Sequence, residues 1–120
     1  MDFKNAKELL DFCQKLNCPI SDIMKQRECT LAETSLEDIY AKMDHALSIM
    51  RESASSPIQE PKKSIGGLIG GEARLADLHR ARGAAICGSV LSRAITYSMA
   101  VLETNTSMGL IVAAPTAGSS

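Results

Sequence analysis

The sequence predicts an all-α protein, and three observations carry that prediction. Apolar residues recur at three- and four-residue steps through the first half of the chain, the spacing of one helix face. Ser35 and Asp38 stand three apart just before the longest such stripe, the spacing of a capping box. From Ala84 to Glu103, large aliphatic residues are interspersed with Gly, Ala and Ser, as in a helix packed closely by neighbours. The chain has 120 residues, which suffices for one hydrophobic core and little more. Hydrophobic residues make up 45% and aromatic residues 3%, with no Trp, so Leu, Ile, Met, Val and Ala must build that core.

The first helix carries Ala6, Leu9, Leu10, Cys13 and Leu16 on one face, with Asp2 as its cap and Asn17 and Pro19 as its end. A short second helix carries Ile20, Ile23 and Met24, with Arg27 at the edge of a narrow stripe. The third begins at the Ser35/Asp38 box, with Asp in place of the usual Glu or Gln. It aligns Leu36, Ile39, Tyr40, Met43, Leu47, Met50 and Ala54, and its methionines read as core filling. Between Ser53 and Lys63, Pro57 and Pro61 argue against a helix and mark a linker. Four glycines in six residues follow, at Gly66, Gly67, Gly70 and Gly71, and a further helix starts near Glu72 and breaks at Gly83. The segment from Ala84 to Glu103 then reads as buried on nearly all faces, including the surroundings of Arg93. These readings divide the chain into 1–57 (N-terminal helices), 58–71 (linker and Gly-rich loop) and 72–120 (buried helices and a terminal motif).

Charge and cysteine usage exclude several classes. The net charge is −1, so no field draws a polyanion, and nucleic acid is not an expected partner. Arg93 at the centre of the apolar segment argues against a membrane span. The four cysteines, Cys13, Cys18, Cys29 and Cys87, contain no C-x-x-C pair, so no zinc site is expected in this chain. The polar start Met1-Asp2-Phe3-Lys4 lacks an apolar signal core, so reduced thiols and a cytoplasmic location are expected.

Candidate chemistry gathers in the second half. The glycine cluster is neither a P-loop nor a dinucleotide fingerprint. It permits an anion site, since free N–H groups at a helix start favour a carboxylate or phosphate; a flexible loop before a capped helix is the competing reading. Asn105 to Gly109 either ends a helix or lines a site. Pro115 fixes a turn beside Thr116 and Ser119, which both donate and accept hydrogen bonds. His45 and His79 read as solvated, and no nucleophile–base pair or catalytic base is assigned. The chain closes on an apolar run, Leu110 to Ala114, which needs covering neighbours and suggests the N-terminal piece of a longer protein.

Three segments in order carry a family resemblance: Gly67-Leu68-Ile69-Gly70-Gly71-Glu72-Ala73, Glu103-Thr104-Asn105-Thr106-Ser107-Met108-Gly109, and Ile111-Val112-Ala113-Ala114-Pro115-Thr116-Ala117-Gly118-Ser119. Together they resemble the α chain of the iron–sulfur-dependent bacterial L-serine dehydratases, strongly over 64–120 and only in helical character over 1–57. Gly66 departs from the family's usual Ser, Thr106 from its Ala, and Ser120 stands where the family commonly places a cluster-ligating Cys.

The resemblance implies the helical N-terminal part of a larger α-helical catalytic domain, a [4Fe–4S] cluster acting as Lewis acid, and β-elimination of water from L-serine to give pyruvate and ammonia. It implies that Ser64, Gly67, Gly70 and Gly71 hold the substrate carboxylate or shape the cleft, and that Asn105, Ser107, Thr116 and Ser119 line the site. No metal ligand is expected in this chain, which alone should be inactive and bind no cluster. Implied partners are the remainder of the α chain, a β chain or β domain, and further copies of the protein. Two alternatives stand beside it: a non-catalytic helical module that oligomerises through 84–114, and a related cluster lyase acting on cysteine.

Overall fold

A computed structural model describes residues 2–113 and contains five α-helices there: α1 (Ala6–Leu16), α2 (Ile20–Leu31), α3 (Leu36–Gln59), α4 (Glu72–Ala81) and α5 (Gly88–Thr106). No strand occurs among the described residues, so the fold is all-α. The chain forms two compact units, Met1–His45 and Ala46–Ser120, and α3 contributes to both. The division between them falls inside a helix, whereas the sequence places its boundary after residue 57, where the charge balance changes.

In the first unit, α1 packs on α2. Asn5 rather than Asp2 caps α1: its Oδ1 accepts the Glu8 N–H at 3.0 Å, and its amide donates back to Glu8 Oε1 at 2.8 Å. Asp2 instead faces Arg27 at 3.7 Å, and the Arg27 guanidinium lies 4.4 Å from the Phe3 ring centroid. Asn17 ends α1 in the left-handed conformation, with φ 48°, and returns its N–H to the last turn. Ile23 of α2 is fully buried. The box at the start of α3 forms as the spacing predicts. The Asp38 N–H donates to Ser35 Oγ at 3.1 Å, and the Ser35 N–H donates to Asp38 Oδ2 at 3.4 Å. The hydroxyls of Ser35 and Thr34 also donate to that oxygen, and these donors hold the Asp38 carboxyl below its ordinary value.

The expectation that prolines prevent a helix after Ser53 is overturned, because α3 runs through Pro57 to Gln59. Proline has no N–H, so the carbonyl four residues earlier, that of Ser53, loses its helical donor. The hydroxyl of Thr104 takes that place, donating to Ser53 O at 2.9 Å in a buried bond. A tertiary contact from 51 residues away thus lets the helix tolerate its proline. Pro61 lies past the helix end.

In the second unit, α4 packs on α5. The buried side of α5 is small and polar: Ser92, Thr96, Ala100 and Thr104 recur every four residues, with Glu103 beside them. The Ser92 and Thr96 hydroxyls donate to carbonyls of the preceding turn, so their burial leaves no donor unpaired. Ala73 of α4 is fully buried as well. Small residues allow close approach, and the large aliphatic side chains of α5 consequently sit on its open sides. Val90 is 84% exposed, and Leu91, Ile95 and Leu102 are about half exposed.

Three expectations therefore change. The segment from Ala84 to Glu103 is not buried on nearly all faces among the described residues. Arg93, one position off the small stripe, is exposed. Met43 is 64% exposed and fills no core, as the stripe of α3 also leaves Leu36, Tyr40 and Leu47 open.

Candidate functional site

The loop over residues 64–71 is held by its own backbone. The Ser64 N–H donates to Ile69 O at 2.8 Å, the Gly67 N–H donates to Ser64 O at 2.9 Å, and Ser64 Oγ accepts the Ile69 N–H at 3.2 Å. Gly67 adopts φ 71° inside this turn. Gly70 is required for a different reason. A Cβ there would lie 2.6 Å from the Lys62 carbonyl oxygen and 2.9 Å from Lys63 Cα, both backbone atoms. The missing side chain lets the loop close directly onto the backbone at Lys62.

The end of α5 is built the same way. It closes with a Schellman turn in which the Gly109 N–H donates to Thr104 O at 2.8 Å and the Met108 N–H donates to Asn105 O at 3.1 Å. A Cβ on Gly109 would lie 2.6 Å from Thr104 Cγ2 and 2.9 Å from Thr104 O. The two motifs meet, since the Ile65 N–H donates to Thr106 O at 3.3 Å.

The start of α4 already carries carboxylates of this chain. The Gly70 N–H donates to Glu72 Oε2 at 2.7 Å, and the Ala73 N–H donates to Glu103 Oε1 at 2.8 Å in a buried bond. Glu103 is fully buried, and its Oε2 has no hydrogen-bond partner among the described residues. Both acids suit the positive end of the α4 dipole.

Beside these turns lies a cavity of about 250 Å³ lined by Ile49, Glu52, Ser53, Ser56, Lys62, Thr104 and Leu110. Its walls come from the second half of α3, from the residue against which Gly70 closes, and from the residues on either side of the Gly109 turn. The Thr104–Ser53 hydrogen bond ties two of those walls together.

The residues singled out from sequence fall as follows. Ser64, Gly70 and Gly71 are half-buried, and Gly71 is the N-cap of α4 with φ 97°. Gly67 and Asn105 are exposed, and the half-buried Ser107 donates its hydroxyl to Thr104 O at 3.1 Å. Thr116, Ser119 and Ser120 lie outside the described residues. The structure thus brings the glycine loop and the 103–109 turn together, but the residues that face the cavity are others: Glu52, Ser53, Lys62 and Thr104. Only the lost donor of Pro57 signals any of them in advance, because it demands a partner for Ser53 O.

Among the described residues no three of His, Cys, Asp and Glu converge to hold a metal. Cys13, Cys18 and Cys29 lie in the first unit and Cys87 in the second. Burial pushes the Cys18 thiol up, and Cys13 and Asp22 add to the shift. The described residues therefore do not fit an iron–sulfur cluster. No described helix is long and apolar enough to cross a membrane.

Fold and site define a class: a helical chain with a small cavity beside its two glycine turns and with aliphatic faces left open among the described residues. Sequence comparison narrows the class. The family model for the serine dehydratase alpha chain matches residues 15–120. The chain is 38% identical over 117 residues to the probable L-serine dehydratase alpha chain of Bacillus subtilis (strain 168), covering 98% of this chain and 39% of that protein. It is 33% identical over 115 residues to the L-serine dehydratase alpha chain of Peptoniphilus asaccharolyticus, covering 96% of this chain and again 39% of the relative. No solved structure matches. The chain belongs to the serine dehydratase alpha-chain family, and it spans about two-fifths of the length of these relatives.

Proposed function

We propose that this chain forms part of the catalytic domain of an L-serine dehydratase. The reaction removes the α-proton and the β-hydroxyl of L-serine as water. The resulting aminoacrylate tautomerises to an imine, which water hydrolyses to pyruvate and ammonia. The observation that supports this reading is the convergence of two family-like motifs, the glycine loop and the 103–109 turn, beside one polar cavity, in a chain 38% identical to such an alpha chain. A [4Fe–4S] cluster, if present in the full enzyme, would supply Lewis-acid chemistry. Its ligands would come from outside the described residues.

The chain's own residues shape and orient. Gly70 and Gly109 let the two turns close on Lys62 and Thr104, and the Thr104 hydroxyl braces α3 at the proline. Ser64 closes the glycine loop by accepting the Ile69 N–H at its hydroxyl. The open aliphatic sides of α5 imply covering partners: the remainder of the alpha chain, and a β chain or domain. On this reading the chain acts in the cytoplasm and is inactive alone.

The same open sides favour a second reading, a module that self-associates through α5. A single hybrid protein separates the readings. Residues of this chain replace the matching stretch of the Bacillus subtilis alpha chain, and the hybrid is produced with its β chain without oxygen and supplied with iron and sulfide. Pyruvate formation from L-serine, in preference to L-cysteine, supports the dehydratase. A folded hybrid that turns over neither, with a defined oligomer of the 120-residue chain, supports the module.

A further inference from the structure

The end of α1 brings two thiols to one turn. Asn17 takes the left-handed conformation, the Cys18 N–H donates to Cys13 O at 3.1 Å, and the Asn17 N–H donates to Gln14 O at 3.4 Å. These two bonds make a Schellman turn. In such a turn the side chains of the two outer residues pack against each other, commonly as a hydrophobic pair. Here the outer residues are Cys13 and Cys18, both half-buried and both free thiols. Each is held in place. Cys13 belongs to α1, and Cys18 precedes Pro19, whose ring bars it from helical backbone.

Electrostatics agrees with the turn. Burial is the first cause that pushes the Cys18 thiol up, and Cys13 and Asp22 add to it. The charge of Cys13 is felt at Cys18 because the two groups are near neighbours. A disulfide requires Cα atoms less than about 7 Å apart, and the direct backbone hydrogen bond keeps these two within that reach. The end of α2 repeats the turn without the second sulfur. Glu33 is left-handed there, with φ 48°, and the Thr34 N–H donates to Cys29 O at 3.1 Å, so a Thr stands where the first turn has Cys18. Cys87 belongs to the second unit.

We propose that Cys13 and Cys18 form a dithiol modification site, which a small-molecule disulfide closes into a single bridge across the α1–α2 elbow. The Cys13 sulfur attacks one sulfur of the oxidant, and the first thiol leaves. The Cys18 sulfur then attacks Cys13, the mixed disulfide breaks, and the second thiol leaves. The two cysteines lose two electrons and two protons, and the oxidant gains both as two thiols. The raised Cys18 thiol suits the second, resolving attack, which is intramolecular and needs little thiolate at any moment. The bridge fixes the first unit in the form it already has. It depends neither on the dehydratase reading nor on the cavity of the second unit.

The test brings the reduced 120-residue chain to equilibrium in glutathione buffers of graded disulfide content. Thiols are then trapped by alkylation, and the chain is digested with trypsin without reductant. Cleavage after Lys15 separates the two cysteines, so the bridge is read as the peptide Glu8–Lys15 joined to Leu16–Lys25. That pair should exceed every other bridge. Cys13→Ser and Cys18→Ser should each abolish it, whereas Cys29→Ser and Cys87→Ser should leave its midpoint unchanged.

The folded turn should favour the bridge at least about tenfold over the same chain unfolded in urea, since it pre-sets the two sulfurs. Oxidation should correspondingly raise Tm. The urea comparison uses the unsubstituted chain, so it decides the matter even where a serine variant unfolds. Separate glutathione adducts on Cys13 and Cys18, a bridge to Cys29 or Cys87 in their place, or an equilibrium no more favourable than in urea would each overturn the assignment.

Discussion

Replacing Thr104 by Val removes one hydroxyl and almost no volume, and the structure says where the loss will be felt. Thr104 Oγ1 is the donor to Ser53 O, the carbonyl that Pro57 leaves without a helical partner. Both Ser53 and Thr104 are buried, so water does not take over. A buried carbonyl stripped of its donor costs about 1–3 kcal/mol. For a chain of this size that corresponds to a fall in Tm of roughly 4 °C per kcal/mol.

The decisive form is a double-mutant cycle with Pro57→Ala. Alanine restores an N–H at position 57, which can donate to Ser53 O within the helix. In that background the hydroxyl is redundant, and Thr104→Val should cost no more than about 0.5 kcal/mol. The coupling between the two sites should then reach about 1 kcal/mol or more. Urea denaturation followed by far-ultraviolet circular dichroism measures all four corners. Equal costs of Thr104→Val with and without the Pro57→Ala change would refute the claim that this hydroxyl lets α3 pass its proline.

Gly70→Ala should destabilise by about 1–3 kcal/mol, because its Cβ would meet backbone at 2.6 and 2.9 Å, whereas Gly66→Ala, with nothing within 4 Å, should be neutral or gain a few tenths; equal unfolding midpoints would contradict this. Asp38 is held below its ordinary carboxyl value by three donors, so the stability it adds is present above the unfolded value, near pH 4, and is lost as pH falls through the lower folded value. Asp38→Asn should therefore flatten helix loss on acid titration in that window, and an unchanged acid profile would count against the cap. Cys87 is exposed and the Cys18 thiol is raised, so iodoacetamide near pH 8 should label Cys87 first and Cys18 last by peptide mass mapping.

Local signals made much of the fold legible. The Ser35/Asp38 box, the Asn17 stop and the breaks at Gly71 and Gly83 follow from backbone chemistry within a few residues. What stayed hidden is non-local. Asn5, not Asp2, immediately precedes the first turn and caps it, while Asp2 lies three residues upstream, 3.7 Å from Arg27 of the next helix. The continuation of α3 through Pro57 depends on a donor from α5. In α5 the composition correctly suggested close packing by small residues, but the side that packs is the small one, and the aliphatic side and Arg93 are open. The site divides similarly. The close backbone approaches of Gly70 to Lys62 and of Gly109 to Thr104 appear only in the structure, and no motif spacing marks Lys62 or Thr104.

The most direct measurement is the position of the substrate in the assembled enzyme. A crystal structure of the hybrid dehydratase, with L-serine trapped or replaced by a non-reacting analogue, should show the amino acid in a pocket bordered by the glycine loop and the 103–109 turn. Density for the amino acid in a pocket that neither the glycine loop nor the 103–109 turn borders would contradict the shared role assigned to those two segments.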